Sequence, residues 1–179
     1  MFGFLKTKPI NEELLTENVS DAILKIWLDD SNLKYQGFDS FITIAQAGGK
    51  EVKPIHFLTE KLRFITSIAI ISLSRAGVQE STIQRVINLV KTQVTNTGVE
   101  NRGASAALGL KAKEYAQVRF SAAPNKAGKI IESRFSQAAF GYTPSDNDTN
   151  PRYTLYKSLS SFERTTIFEV GSAIRKSRE

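Results

Sequence analysis

Residues 54–76, PIHFLTEKLRFITSIAIISLSRA, form the most apolar stretch of this 179-residue chain. Apolar side chains recur in it at helical spacing and make two neighbouring stripes. One stripe consists of Leu58, Leu62, Ile65 and Ala69, and the other of Phe57, Phe64, Ile68 and Ile71. Together they cover a wide face of a 3.6-residue helix, which is typical of a helix at the centre of a core. Strand alternation fails because polar and apolar residues mix on both faces, so we predict a central helix over about 54–76.

Both ends of this stretch carry helix signals. Pro54 suits a first helical turn, and Gly77 suits the left-handed residue just past a helix end. The uncharged segment 64–74 has only 11 residues, whereas a membrane-spanning helix requires about 20 apolar residues. We therefore predict a core helix and not a membrane span.

Further segments complete the predicted bundle. Helical stripes and turn residues place them at about 11–30, 40–47, 81–98, 104–121, 126–140 and 160–176. Gly48, Gly98 and Gly141 are predicted to end three of them, as Gly77 ends the central helix. Asn11 is the predicted N-cap of the first, and Ser81 with Gln84 and Ser160 with Glu163 form predicted capping boxes. Segments 41–45 and 152–159 have an alternative interpretation as short strands. We predict an all-α fold, a single-domain bundle of six to seven helices around the central apolar helix.

Length and composition suit a single domain. We assign 1–10 to an N-terminal arm and 11–179 to one helical domain with an irregular loop at 141–153, GYTPSDNDTNPRY. Cysteine is absent, which excludes disulfides and thiolate metal sites and suits a reducing compartment, so we expect a cytoplasmic protein. Residues 1–8 are apolar and then basic, but so short an apolar segment binds a membrane surface weakly, and we do not expect docking there.

No stretch of the sequence matches the full pattern of a catalytic, cofactor-binding or metal-binding motif. His56 is the only histidine and stands beside apolar residues, which indicates a packed position at the edge of the core. Gly48-Gly49-Lys50 lacks the first glycine and the Ser/Thr of a phosphate-binding loop. The stretch that begins at Asp146 lacks the glycine and the bidentate glutamate of a calcium loop. We therefore predict no cofactor, no metal and no enzymatic activity.

The net charge of +6 is concentrated in the middle of the chain. Residues 61–140 carry 12 lysines and arginines against 4 acidic residues, whereas residues 1–60 have an acidic excess. A basic surface attracts acidic proteins and nucleic-acid backbones alike. Seven cations, with aromatic residues among them, are the candidate contacts for an anionic partner or a nucleic acid: Arg102, Lys111, Lys113, Arg119, Lys126, Lys129 and Arg134.

These observations favour a protein that acts by contact and not by catalysis. The first hypothesis is a small soluble protein–protein interaction module, an inhibitor, adaptor or immunity-type protein, whose partner is an acidic protein if the basic region is the contact surface. The 141–153 loop is the other candidate contact surface. The alternative is a nucleic-acid-binding or nucleoprotein-assembly protein, coat- or nucleocapsid-like, that uses 102–134 against the phosphate backbone. A third hypothesis, an enzyme, requires the fold to bring together carboxylates such as Glu60 and Glu114.

Overall fold

The computed structural model describes residues 8–29, 46, 53–98, 102–143 and 149–178. These residues form seven helices and no strand, which confirms the predicted all-α bundle. The helices are α1 (Glu12–Leu28), α2 (Pro54–Arg75), α3 (Glu80–Asn96), α4 (Arg102–Ser105), α5 (Leu108–Ser121), α6 (Pro124–Phe140) and α7 (Thr149–Lys176). The prediction for 40–47, with its strand alternative at 41–45, lies outside the described residues apart from residue 46.

Helix α2 lies at the centre of the bundle, as predicted for residues 54–76. Each of the other six described helices contacts it. Every side chain of residues 64–71 is buried, so this part of the helix has no solvent face. Buried residues from all seven helices join one hydrophobic cluster around it. Burial on all sides explains why the apolar stripes of this stretch are so wide.

Local sequence signals end or begin three helices where they were predicted. Asn11 caps α1, because its side-chain Oδ1 accepts a hydrogen bond from a backbone N–H of the first turn at 3.1 Å. After α2, Gly77 has a φ of 76°, and the Val78 N–H donates to the Leu73 carbonyl at 3.1 Å. This pattern is a Schellman motif. Gly141 ends α6 with a φ of 63°, in the same left-handed region.

The predicted capping box of Ser81 and Gln84 is wrong. Helix α3 begins at Glu80 after Gln79, so Ser81 already lies inside the first turn. The Gln84 side chain instead donates to Asn88 Oδ1 at 3.1 Å, one turn further along the helix. A capping box requires its serine at the N-cap position, and the earlier start of the helix removes it from that position.

Helix α7 is longer than predicted, because it begins at Thr149. Residues 152–159 are therefore helical and not a strand, and the last part of the predicted 141–153 loop is helical as well. Ser160 and Glu163 lie in the middle of α7 and form no capping box. The reason is a buried stripe at helical spacing that packs on the core and consists of Leu155, Leu159 and Phe162. Because this stripe begins before residue 160, the helix begins before it as well.

The predicted single helix over 104–121 is in fact two helices. Ala107 has a φ of 54° and separates α4 from α5. A left-handed residue with a Cβ costs about 1–2 kcal/mol, and burial of the neighbouring Leu108 helps to offset this cost.

A small residue in α5 allows close packing between helices of this chain. A Cβ on Gly109 would lie 3.2 Å from Ile87 Cγ2 of α3.

Lys61 connects α2 to the end of α1. Its side chain is 0% exposed, and its ammonium donates to the carbonyls of Trp27 at 3.2 Å and Asp29 at 3.3 Å. The same nitrogen lies 5.2 Å from the centre of the Phe162 ring. The last carbonyls of a helix have no partners within that helix. Lys61 therefore closes the C-terminal end of α1 with a buried positive charge.

The His56 side chain, predicted to pack at the edge of the core, is exposed, and the apolar side chains of Ala138 and Ile167 are exposed as well. In α7 the buried face passes through Thr166 and Val170, so Ile167 is one position out of register with it. His56 lies in the first turn of α2, before the helix enters the core.

We expect Phe64→Ala to destabilise the fold by about 3–5 kcal/mol, because it leaves a large cavity in the core. Phe64 is 0% exposed, and its ring centre lies 6.1 Å from that of Tyr115 and 6.2 Å from that of Phe135. Phe168→Ala is the matched control: that side chain is 68% exposed, so the change should stay within about 0.5 kcal/mol. Urea unfolding followed by circular dichroism measures both. Equal effects of the two substitutions would contradict the central position of α2.

Candidate functional site

Helix α6 separates two clefts. The first, called the tyrosine cleft, has a volume of about 590 Å³ and a rim formed by Arg119, Lys129, Glu132, Tyr153, Tyr156 and Glu163. The second, called the carboxylate cleft, has a volume of about 470 Å³ and a lining that includes Glu60, Arg63, Lys111, Glu114, Tyr115 and Arg134. Both volumes are typical of ligand-binding pockets.

The helical period explains why the two clefts are separate. Asn125, Lys129 and Glu132 of α6 line the tyrosine cleft, and Arg134 and Gln137 line the carboxylate cleft. At about 100° per residue, these two sets lie on opposite flanks of the helix. A ligand in one cleft therefore meets different residues of α6 from a ligand in the other.

The tyrosine cleft has an apolar floor and aromatic side chains at its rim. The floor includes three buried side chains, Phe64, Ile131 and Leu159. Tyr153 is 58% exposed and Tyr156 is 56% exposed. The Lys157 ammonium lies 4.6 Å from the centre of the Tyr153 ring, a cation–π distance. Exposed tyrosines above a buried apolar floor form a surface that suits a partner with both apolar and polar groups.

Two ion pairs cross the tyrosine cleft. Arg119 Nη2 lies 2.6 Å from Glu163 Oε2, and Arg152 Nε lies 3.8 Å from Glu132 Oε2. Arg119 Nε is buried and has no hydrogen-bond partner in the part of the chain that the structure describes. Burial raises the pKa of the Glu132 carboxyl above its ordinary value, although the nearby positive charges of Arg152 and Lys129 oppose this shift.

The carboxylate cleft is organised around a buried carboxylate. Glu60 is 4% exposed, forms an ion pair with Arg63 and accepts a hydrogen bond from the Tyr115 hydroxyl at 2.8 Å. Lys111 Nζ lies 3.0 Å from Glu114 Oε2. Burial, and then the charge of Glu60, raise the pKa of Tyr115 far above its ordinary value, so this phenol stays protonated. The fold thus brings Glu60 and Glu114 into one cleft, with each carboxylate in an ion pair.

The structure divides the predicted basic residues between the two clefts and other surfaces. Arg119 and Lys129 line the tyrosine cleft, and Lys111 and Arg134 line the carboxylate cleft. Lys113 pairs with Glu80 at 2.7 Å.

Lys126 lies exposed near the start of α6 and lines neither cleft. Arg102 is the first residue of α4. Among the described residues, Lys126, Lys129 and Arg134 form no ion pair.

The sequence analysis did not predict five residues of the tyrosine cleft: Glu132, Arg152, Tyr153, Tyr156 and Glu163. Four of them belong to α7, whose start was predicted too late. The sequence did hold a usable signal, since Tyr156, Ser160 and Glu163 follow one another at spacings of 4 and 3, which is helical. This polar face lies about 100° around the helix from the buried stripe of Leu155 and Leu159. Together they indicate an amphipathic helix.

In the part of the chain that the structure describes, no three histidine or acidic side chains cluster as metal ligands would. Nor does any helix there combine the length and apolar character of a membrane span. Comparison of the chain with protein-family models, curated proteins and solved structures finds no match. The two clefts are therefore the candidate sites on which a functional assignment rests.

We expect Glu132→Gln to remove one pH-dependent contribution to the stability of the fold. A carboxyl whose pKa is raised by folding favours the folded state most at low pH, and stability falls as pH rises through the raised pKa. The variant should therefore gain stability relative to the unmodified chain between about pH 4 and about pH 7. Glu17→Gln, a change at an exposed carboxyl of α1, is the control. Thermal unfolding at both pH values measures the difference in stability between the variant and the unmodified chain. A difference that is the same at both pH values would contradict the prediction.

Proposed function

We propose that the protein is a small protein-binding module that holds a short segment of a partner protein in the tyrosine cleft, without catalysis. The observation that carries the proposal is the pair of exposed tyrosines, Tyr153 and Tyr156, above the buried apolar floor. Tyrosine and arginine dominate the binding energy of protein interfaces. A tyrosine also contributes a large contact area with few rotatable bonds, so little entropy is lost on binding.

The position of the cleft supports the proposal. The sequence indicates two candidate contact surfaces, the 141–153 segment and the basic region. Arg152 and Tyr153 come from the first, and Arg119 and Lys129 come from the second. All four line one cleft, so each of the two candidate surfaces contributes residues to it.

Charge and size indicate what kind of segment fits. The cleft has three cations, Arg119, Lys129 and Arg152, and two carboxylates. Lys129 is the cation without an ion pair among the described residues, so the uncompensated charge is positive. A volume of about 590 Å³ accommodates a few side chains and not a folded domain. The partner segment is therefore short, has an apolar or aromatic anchor and has an acidic residue beside it.

We expect affinity purification from the native host to capture a protein partner that survives nuclease treatment. Tyr156→Ala and Lys129→Glu should each reduce capture about tenfold or more, which corresponds to the loss of a strong interface residue. Phe168→Ala and Lys91→Glu change an exposed aromatic and an exposed lysine outside the cleft, so they should leave capture unchanged. Equal capture by all four variants would refute the assignment to this cleft.

The alternative function, binding of single-stranded nucleic acid, draws on the same residues. Exposed tyrosines stack on bases, and lysines contact phosphates. Tyr153 and Tyr156 lie close to Lys129 in the cleft lining, which favours this function. Glu132 and Glu163 count against it, because carboxylates at the rim repel a phosphate backbone.

If nucleic acid is the partner, a fluorescein-labelled thymidine oligonucleotide of about 20 nucleotides should bind with an affinity that falls steeply with salt concentration. Lys126→Glu combined with Lys129→Glu should abolish this binding, and Lys91→Glu should not. Fluorescence anisotropy measures both effects. Binding that is indifferent to salt would exclude the alternative.

A further inference from the structure

The carboxylate cleft has features of a binding site that the proposed function does not use. It lies between α2, α5 and α6, on the opposite flank of α6 from the tyrosine cleft. Its volume of about 470 Å³ falls in the range of small-molecule sites. Of the described residues, none lines both clefts, so a ligand in this one does not depend on the proposed function.

The charges of the cleft leave one cation uncompensated. Glu60 pairs with Arg63, and Glu114 pairs with Lys111. Arg134 also lines the cleft, is exposed and forms no ion pair among the described residues. One uncompensated positive charge matches a ligand with one negative charge. A dianion would have an unpaired charge next to two carboxylates, which is unfavourable.

The hydrogen bonds of Arg63 are incomplete. Its Nη1 donates to Glu60, its Nη2 reaches the Ala106 carbonyl only at 3.5 Å, and its buried Nε has no acceptor among the described residues. Buried donors without an acceptor are rare in native proteins, and each calls for an explanation. The Nε and Nη2 groups form the edge of a guanidinium that binds carboxylates through two parallel hydrogen bonds. What Arg63 lacks is an additional oxygen acceptor.

The remaining lining adds neutral donors and apolar contact. Gln137 Oε1 accepts a hydrogen bond from Thr143 at 3.1 Å, so the side-chain NH₂ of Gln137 remains available to donate. The Ser133 hydroxyl also lines the cleft. The Tyr115 ring and the Ala138 methyl group provide apolar surface beside these donors. A ligand that satisfies this lining has a carboxylate at one end and a compact apolar body.

We propose that the carboxylate cleft binds a small organic acid with one carboxylate group. Arg134 supplies the charge that attracts the carboxylate, and Arg63 and Gln137 supply hydrogen-bond donors. The Glu60–Tyr115 hydrogen bond holds the wall of the site in place, since Glu60 is buried and Tyr115 keeps its proton. Glu60 and Glu114 select against ligands with two negative charges.

The test uses sodium benzoate as the probe and the full chain labelled with ¹⁵N. At constant ionic strength, benzoate should cause saturable shifts of the backbone amide signals of residues 111–115 and 133–138. Arg134→Gln should weaken this binding at least tenfold. Lys91→Gln, at an exposed position outside the cleft, should not change it. Tyr156→Ala should not change it either, which separates this site from the tyrosine cleft.

Two results would overturn the inference. In the first, inorganic phosphate or chloride produces the same shifts with the same strength as benzoate, which means an adventitious ion only. In the second, Arg134→Gln binds benzoate as well as the unmodified chain does, while its spectrum shows that it is folded. Because Arg134 is exposed, its replacement leaves the core intact and the comparison remains valid.

Discussion

The burial of the middle of helix α2 is the constraint on which the rest of this structure depends, because every side chain from residue 60 to residue 73 is buried except Arg63 and Ser72, which are partly exposed. Polar side chains in this part of the helix must be satisfied inside the protein, because an unpaired buried charge is strongly unfavourable. Glu60 and Lys61 are neighbours in the sequence, and about 100° of helical rotation separates their side chains. Glu60 meets Tyr115 of α5, whereas Lys61 meets the last carbonyls of α1. The two buried charges therefore determine how α2 is oriented between α1 and α5.

The same arrangement connects the fold to its surface features. The Glu60–Tyr115 hydrogen bond that holds α2 against α5 also forms a wall of the carboxylate cleft. On the other flank of α6, the floor of the tyrosine cleft includes Phe64, which belongs to α2 as well. Both clefts are thus gaps between the outer helices above one buried helix, and α6 divides them.

The two clefts differ in ways that suit different partners. The tyrosine cleft has exposed aromatic side chains and charged residues at its rim, as protein-binding surfaces have. The carboxylate cleft has a buried ion pair, an arginine with incomplete hydrogen bonds and a smaller volume, which suits a small anion. The predicted basic region is shared between them, because the helical period turns Lys129 and Arg134 to opposite flanks of α6.

The sequence by itself determined the features that depend on neighbouring residues. The stripes of residues 54–76 predicted the central helix, and Asn11, Gly77 and Gly141 predicted helix ends, because periodicity and backbone φ preferences are local. Only the tertiary structure decided that α7 begins at Thr149, since packing of Leu155 and Leu159 on the core extends that helix past the local turn signals. It also decided which side chains share a cleft. Tyr156 and Arg119 are 37 positions apart in the chain, and only the packing of α5, α6 and α7 brings them into one site.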